Sequence, residues 1–382
     1  MNVLVFNVGS TTLKFACIDT DTGTRVTSGL VDRIGQAGGD AVDHAAAMAS
    51  VFAAHQSVAF DVVAHRIVQG GDRFTKPVVV DADVMSSLEK LDTLAPLHNP
   101  PARRVVMKIS EQFPDMRQVL VFDSAYYATL APESYRYAIP DIYFDRDHIR
   151  RYGAHGISHQ YVVAQARQHM QTLGGKRDAA DDSIISLHLG GGGSVTATRG
   201  GLAVETSMGM TPLEGLVMAT RCGDIDPAVV LHLMRARALG VDEVDRLLNK
   251  QSGLLGMCGD ADMRTILQRR ELGDKSATLA IDVYVHRILK YIGAYFVLLG
   301  GADAIVFTAG VGENSVAIRS LVASRLASIG VQFSEARNQE PSDTKNVRVI
   351  SEPDSAVTVL VIPTNEEKSI ANQAAAVIRD EG

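Results

Sequence analysis

The sequence predicts an α/β protein built from two related halves, and two observations carry that reading. Apolar strand-like runs alternate with helix-like periods along most of the 382 residues, the order that generates layered α/β folds. One grammar also occurs twice: an apolar run, a turn of small residues, then a second alternating run. The first copy is VLVFNVGSTTLKFACI, with Asn7 at the end of its first strand. The second is SIISLHLGGGGSVTATR, with His188 at the corresponding place, 181 residues later. Either copy alone reads as a β-hairpin. Together they place bare backbone N–H groups at the mouths of two sheets, where glycine lets phosphate oxygens approach closely.

The elements follow in order. After the opening hairpin, residues 60–64 read as a buried strand, and helices are expected at 84–91 and from near Pro101, proline being suited to a first turn. Residues 118–122 form a short core strand that ends at Asp123, and a polar stretch with Pro and Tyr, 132–152, separates the halves. The second half opens with a helix after Ser158 and the glycine-rich hairpin. Helices are expected at 227–237, 262–270 and 277–299; the last carries Ile281, Tyr284, Val285, Ile288, Leu289 and Ile292 at helical spacing. A strand at 304–308 runs into residues 310–314, and Ser315 is placed to cap a helix. A last strand, 357–362, leads through Asn365 and Glu366 into a C-terminal helix. The expected domains are 1–125 with 366–382, and 126–365.

Composition narrows the function. The length favours two domains over one core. A net charge of −7 and a pI near 5.9 argue against a nucleic-acid partner. Cys17, Cys222 and Cys258 share no metal-ligand spacing and cannot all pair, which suggests a reduced compartment. With an apolar strand from Asn2, no signal peptide is expected, and no apolar run approaches the roughly 20 residues that span a bilayer. A cytoplasmic protein with no membrane partner is the expectation. A GxxxxGK[ST] loop is absent from the sequence, which excludes a P-loop kinase, and GGGG is not a dinucleotide fingerprint.

Polar residues recur at expected strand ends: Asn7, Asp123, His188, Thr308 and the Asn365-Glu366 pair. In α/β sheets ligands bind beyond the carboxyl ends of strands. Arg66, in AHRIVQGGDRF, and Arg221, in MATRCGDIDP, offer guanidinium forks suited to phosphate and carboxylate; each also reads as an ordinary surface arginine. His155, flanked by small residues in YGAHGISH, is open to a ligand or simply structural. Asp123 reads equally as a turn cap, and Asp262 with Arg264 as a helix cap and its decoration.

The motifs in order are more specific than any one of them. NVGSTTLKF, HRIVQGGDRF, LAPLHNPP, FDSAYY, RRYGAHGISHQYV, HLGGGGSV, TSMGMTPLEGLVMATRCGDIDP, KYIGAYFVLLGGADAIVFTAGVGENS and VIPTNEE run from Asn2 to about Ala376. In these the chain resembles the acetate kinases, of the actin-like and sugar-kinase superfamily. The resemblance implies two duplicated actin-like (ribonuclease H-like) lobes with a nucleotide cleft between them, the second lobe binding the nucleotide, and a homodimer. It implies the reaction acetate + ATP ⇌ acetyl phosphate + ADP, with Mg2+, or Mn2+ in its place.

Carried over by motif, Asn7 and Glu366 resemble the metal site, and Lys14 with the turn 10–12 would face phosphate oxygens. Arg66 and Arg221 would grip the carboxylate and the transferring phosphoryl group, to which His155 would hydrogen-bond. His188, Leu189, Gly190, Gly191 and Gly192 would line the nucleotide phosphates. Asp262, Met263, Arg264, Gly310, Val311, Gly312, Glu313 and Asn314 would form the adenosine site. Val68, Leu97, Ala154 and Pro212 would enclose the short acid. Asp123 matches the family's catalytic aspartate. Acetate is already ionised near neutral pH, so Asp123 is read as orienting an arginine or a metal-bound water.

Three residues depart from the family pattern. Ala154 stands where most members carry Phe, which should leave space and tilt preference toward propionate or butyrate, at about 0.8 kcal/mol per buried methylene. Gly191 replaces a common Asn and removes a donor near the phosphates, which opens the question of another phosphoryl donor. Gln69 stands in place of the usual His. From a different class, an actin-like ATP-binding scaffold has no use for Arg66, His155, Pro212 and Arg221 together.

Overall fold

The computed structural model describes residues 1–95, 98–172, 181–341 and 346–381. The chain forms two compact units: Met1–Ala128 with Gly156–Ser158 and Asn365–Gly382, and Thr129–His155 with His159–Thr364.

The first unit holds a six-stranded sheet of β1 (Asn2–Val8), β2 (Leu13–Asp19), β3 (Thr24–Val31), β4 (Val62–Ile67), β5 (Val78–Val79) and β6 (Gln118–Phe122), in the order β3-β2-β1-β4-β6-β5. The second holds β7 (Ser183–Leu189), β8 (Gly193–Arg199), β9 (Leu202–Thr206), β10 (Ala304–Thr308), β11 (Arg348–Val349) and β12 (Thr358–Val361), in the order β9-β8-β7-β10-β12-β11. Six added to each label of the first order gives the second. Both sheets pair three strands antiparallel, continue with two parallel strands and end on a short antiparallel strand.

Alternation along β1 shows how each sheet is buried on two faces. Val3 and Val5 pack with Ile370, Ala371 and Ala374 of helix Glu366–Asp380. Leu4 and Phe6 pack with Met48 of helix His44–Ala54 and Val105 of helix Asn99–Gln112. In the second unit, helix Lys275–Leu299 covers Ile185 and Leu187 with Ile281, Tyr284 and Ile288. Val162, Val163 and Ala166 of helix Gly156–Thr172 cover Ile184, Val306 and Leu360 on the other face.

Two boundaries differ from expectation. The fourth strand is Val62–Ile67 and not 60–64, so Arg66 lies inside it. The Asp61 carboxylate accepts from the Asn2 N–H at 2.7 Å and the Asp61 N–H donates to the Asn2 carbonyl at 2.9 Å, which starts the ladder one residue later. Residues 310–314 belong to a short helix, Ala309–Asn314, which Ala309 opens at φ 64°. Leu97 lies outside the described residues. Among those described, no helix is long and apolar enough to cross a membrane.

His65 on β4 is a buried polar residue of the first sheet, 1% exposed. Its Nε2 meets Gln118 Oε1 at 2.9 Å, and its Nδ1 has no partner among the described residues. Burial lowers its pKa from 6.5 to about 4. Between those values the unfolded chain binds the extra proton, so His65 favours folding above pH 6.5 and that stability is lost as pH falls toward 4. The loss is on the order of 3 kcal/mol. Urea unfolding followed from pH 7.5 to 4.5 should show it, and His65→Met should give a shallower pH dependence. An unaltered slope in the variant would remove His65 from the account.

Candidate active site

In the first unit the site is built by three parallel strand ends and one helix start. Asn7 of β1 lies in register with Arg66 of β4, and Asp123 follows β6 directly. Arg66 donates from Nη1 to Asn7 Oδ1 at 3.1 Å and from Nη2 to the Asp123 carboxylate, and its Nε lies 3.8 Å from Glu366 Oε2. Burial works against the charge on Arg66, yet Asp123 and Glu366 outweigh it and hold the guanidinium above its usual range. Asp123 is 1% exposed, and its Oδ1 has no partner among the described residues.

Glu366 begins helix Glu366–Asp380, whose N-cap Asn365 accepts from the Lys368 N–H at 3.1 Å. A helix start suits carboxylates. Burial nevertheless pushes Glu366 up against the pull of Arg66, and Asp123 and Glu367 add to the rise. This corner thus has two carboxyl groups, Asp123 and Glu366, sharing a single guanidinium. Its oxygens, the Glu366 carboxylate, the orphaned Asp123 Oδ1 and the second lone pair of Asn7 Oδ1, form a donor set for a hard cation.

Lys14 is placed differently from the expectation of a phosphate-facing cation. Its ammonium lies 2.5 Å from Glu367, whose carboxyl it holds below the usual range despite burial. The turn before it is tight: the Gly9 N–H donates to the Thr12 carbonyl, and a Cβ on Gly9 would stand 2.5 Å from Thr12 Oγ1. Gln69 has a bracing role. Its Oε1 accepts from the Gly71 N–H at 3.0 Å, and its backbone exchanges two hydrogen bonds with the Asn99 side chain. Val68 is half-buried in the same unit.

In the second unit His155 sits at φ 59°, followed by Gly156 and preceded by Gly153 at φ 75°. Non-glycine residues held there store strain, which accumulates at functional sites. Its ring stacks on His188 with centroids 4.1 Å apart. Gly192 packs against both His155 and Arg221: an added Cβ would lie 3.3 Å from His155 Nε2 and 3.5 Å from Arg221 Nη1. Arg221 donates to the Pro212 carbonyl at 3.2 Å, and burial lowers its pKa. It is a desolvated cation that a bound anion would stabilise.

Beside it a cavity of about 870 Å3 is lined by Gly190, Gly191, Asp262, Met263, Arg264 and Gly310, with Val311 and Asn314. That volume is typical of small-ligand sites. Asp262 does cap its helix, Met263–Glu271, and Arg264 folds back onto it at 2.6 Å. Three expected nucleotide contacts turn inward instead. Leu189 belongs to the core. Gly312 packs against Phe307 and Leu187. Glu313 accepts from the Ala309 and Thr364 N–H groups at 2.8 and 2.9 Å, bracing the ends of β10 and β12. Ala154 is 3% exposed and clusters with the buried Met208 and Met218.

A model of the acetokinase family matches residues 2–372. The chain belongs to that family. An acetate kinase from Micrococcus luteus is 47% identical over 384 residues, covering 97% of this chain and 98% of its own. Among solved structures, Porphyromonas gingivalis acetate kinase superposes with a TM-score of 0.90 at 36% identity, covering 99% of both chains. A propionate kinase from Francisella tularensis gives 0.88 at 35%, covering 97% and 98%. The fold is the actin-like ATPase fold.

Two supports in this acetokinase were not legible in its motifs. Arg151 donates to the Thr206 and Met208 carbonyls and pairs with Glu214 at 2.7 Å, and Tyr137 donates to Glu214 at 2.6 Å. Together they pin the segment carrying Pro212. Arg319, 1% exposed, donates to the Gly312 and Glu313 carbonyls and to Asn338, fixing the end of helix Ala309–Asn314. Adjacent arginines in RRYG were the available signal for Arg151; partners tens of residues away gave none.

Arg66→Ala should leave Asp123 and Glu366 without their cation. The expected loss is about 3–5 kcal/mol at pH 7, shrinking as acid neutralises Glu366, whose pKa is already raised. Urea unfolding at pH 7 and 5 measures both.

Proposed function

We infer that the chain transfers the γ-phosphoryl group of ATP reversibly to acetate, giving ADP and acetyl phosphate. The observation that carries this reading is the desolvated Arg221 at the glycine turn, next to His155 and to a nucleotide-sized cavity in the same unit. Acetate is anionic near neutral pH, so the nucleophile needs no general base. What the reaction needs is neutralisation and alignment of anionic groups, as phosphoryl transfer does generally.

The residues divide the work. Arg66 and Arg221 neutralise and orient carboxylate and phosphoryl oxygens, and His155 donates to the phosphoryl group. Asp123 acts through Arg66, whose fork it aims, and so is a positioning residue. His188 and the Gly190–Gly192 turn take the phosphates, and the cavity residues take the adenosine. The family resemblance assigns Val68 to the acid, and likewise Ala154 and Pro212 of the other unit. Asn7 and Glu366, with the spare Asp123 oxygen, suit Mg2+, which needs few protein ligands when phosphates and water supply the rest. Among the described residues no group of three or more His, Cys, Asp or Glu forms a dedicated metal cage. When bound, the ion neutralises phosphate charge. Homodimer assembly and a cytoplasmic location belong to the same reading and rest on the family resemblance.

The deciding experiment traps acyl phosphate as the hydroxamate with ATP and acetate, propionate or butyrate. Acetate should give the highest kcat/KM, and silence with all three acids would end the reading. Arg221→Ala should lower kcat by about 100- to 1000-fold, the cost of one preorganised donor at a developing charge. Gly191 tests the other departure. A Cβ there meets nothing within 4 Å, so Gly191→Asn should fold normally and lower the KM for ATP several-fold. An unchanged KM would show that the missing side chain is immaterial.

A further inference from the structure

Behind His155 lies a chain of buried polar side chains that the transfer step does not itself call for. His155 Nδ1 is 2.9 Å from Ser194 Oγ. The same oxygen is 2.8 Å from His159 Nε2, and His159 Nδ1 is 2.7 Å from Ser186 Oγ. Ser186 Oγ donates to the Thr196 carbonyl at 3.4 Å. His159, Ser186 and Ser194 are each 0% exposed, so every hydrogen in the chain must be placed.

A hydroxyl has one hydrogen, and a neutral imidazole has one N–H and one bare nitrogen. With the Ser186 hydrogen directed to Thr196, Ser186 accepts from His159 Nδ1–H. His159 Nε2 is then bare and accepts from Ser194. Ser194, its hydrogen committed, accepts from His155 Nδ1–H. We propose that Ser186, His159 and Ser194 are positioning residues that hold the neutral His155 ring as its Nδ1–H tautomer, so that Nε2 donates to a phosphoryl oxygen only when His155 is the imidazolium. The proposal rests on the phosphoryl-transfer reading for its second half and on geometry for its first.

Burial supports the neutral state of His159: it lowers the pKa well below the usual histidine value, and His188 adds to the drop. Within its own unit, the titratable and charged groups facing His155 include His188, stacked on it from β7, His159, reached through Ser194, and Arg221, which shares the Gly192 contact. Arg221 opposes a second positive charge until an anion arrives. An arriving phosphoryl group would therefore draw a proton onto Nε2, and His155 would gain its donor at the moment it is needed.

The test reads the tautomer directly. Two-bond 15N–1H spectra of the 15N-labelled full chain at pH 8, with His155 assigned by its loss in His155→Gln, should show its proton on Nδ1. Ser194→Ala removes the acceptor, and Ser186→Ala removes the far anchor without touching His155. Either should move the His155 proton to Nε2. A proton on Nε2 in the unaltered protein, or on Nδ1 in both variants, overturns the relay. The second readout is kcat against pH from 6 to 9 with ATP and acetate. The unaltered enzyme should lose at least tenfold toward pH 9, and Ser186→Ala should flatten that limb to less than threefold. A flat profile in the unaltered enzyme overturns the imidazolium requirement. Absence of any activity would instead count against the phosphoryl-transfer reading, with the spectra still deciding the tautomer.

Discussion

The buried guanidinium of Arg66 is the constraint around which the first unit is organised. A desolvated cation costs several kcal/mol unless it is paired and hydrogen-bonded. Arg66 meets most of that demand with hydrogen bonds to Asn7 from β1 and Asp123 from the end of β6 and an ion pair to Glu366 from a helix start, its Nε alone having no hydrogen-bond partner among the described residues. Three strand ends and the C-terminal helix are thereby held at fixed positions, although residues 1–123 and 366–380 are far apart in sequence. Two carboxyl groups share the one guanidinium. Glu366 keeps a raised pKa even with Arg66 beside it, and one Asp123 oxygen stays without a partner among the described residues. An underpaired carboxyl beside an orphaned carboxylate oxygen offers a cation a place, which is why this corner reads as a binding site and not merely as a buried ion pair.

The second unit uses the same scaffold for the opposite electrostatic condition. By register, Asn7 and Arg66 of β1 and β4 correspond to His188 and Thr308 of β7 and β10, and Lys14, opposite Asn7, corresponds to Ser194, opposite His188. Charged groups in one copy are replaced by hydroxyls and imidazole in the other. Arg221, supplied from a loop and not from the sheet, pairs with a carbonyl and lies near a thioether. It is left with a desolvation cost that an anion relieves. Duplication thus conserves the backbone path and lets the two sets of strand ends diverge, one keeping charged side chains and the other hydroxyls and imidazole.

The period-2 alternation and the small-residue turns made the sheets legible, and strand ends named most of the polar residues that the fold gathers. Arg66 itself was placed after a strand because polar His65-Arg66 interrupts the apolar run; only the buried Gln118 and Asp123, more than 50 residues on, explain why the strand continues. Motifs identify a neighbourhood and not a side-chain direction. Glu313 and Leu189 lie in ligand-facing motifs yet turn inward, and Lys14 answers to Glu367, a partner 353 positions away. Ser194 was visible as part of a hairpin, but its position between two histidines depends on a helix that begins at Gly156. Short-range pattern therefore yields the scaffold, and long-range pairing decides what each polar residue does.

Ala154 shows why a single departure from a family pattern need not translate into a change of substrate. Removing an aromatic ring creates a cavity only if its surroundings stay in place, and protein interiors close such gaps when a flexible side chain is near. Methionine is the side chain best able to do so, and two of them, Met208 at 0% and Met218 at 1% exposure, cluster with Ala154. Overall similarity does not rank the acids either, since the solved acetate and propionate kinases match this chain at 36% and 35% identity. Met218 also has its sulfur 3.7 Å from Arg221 Nη1. The packing around Ala154 thereby extends to the desolvated guanidinium of Arg221.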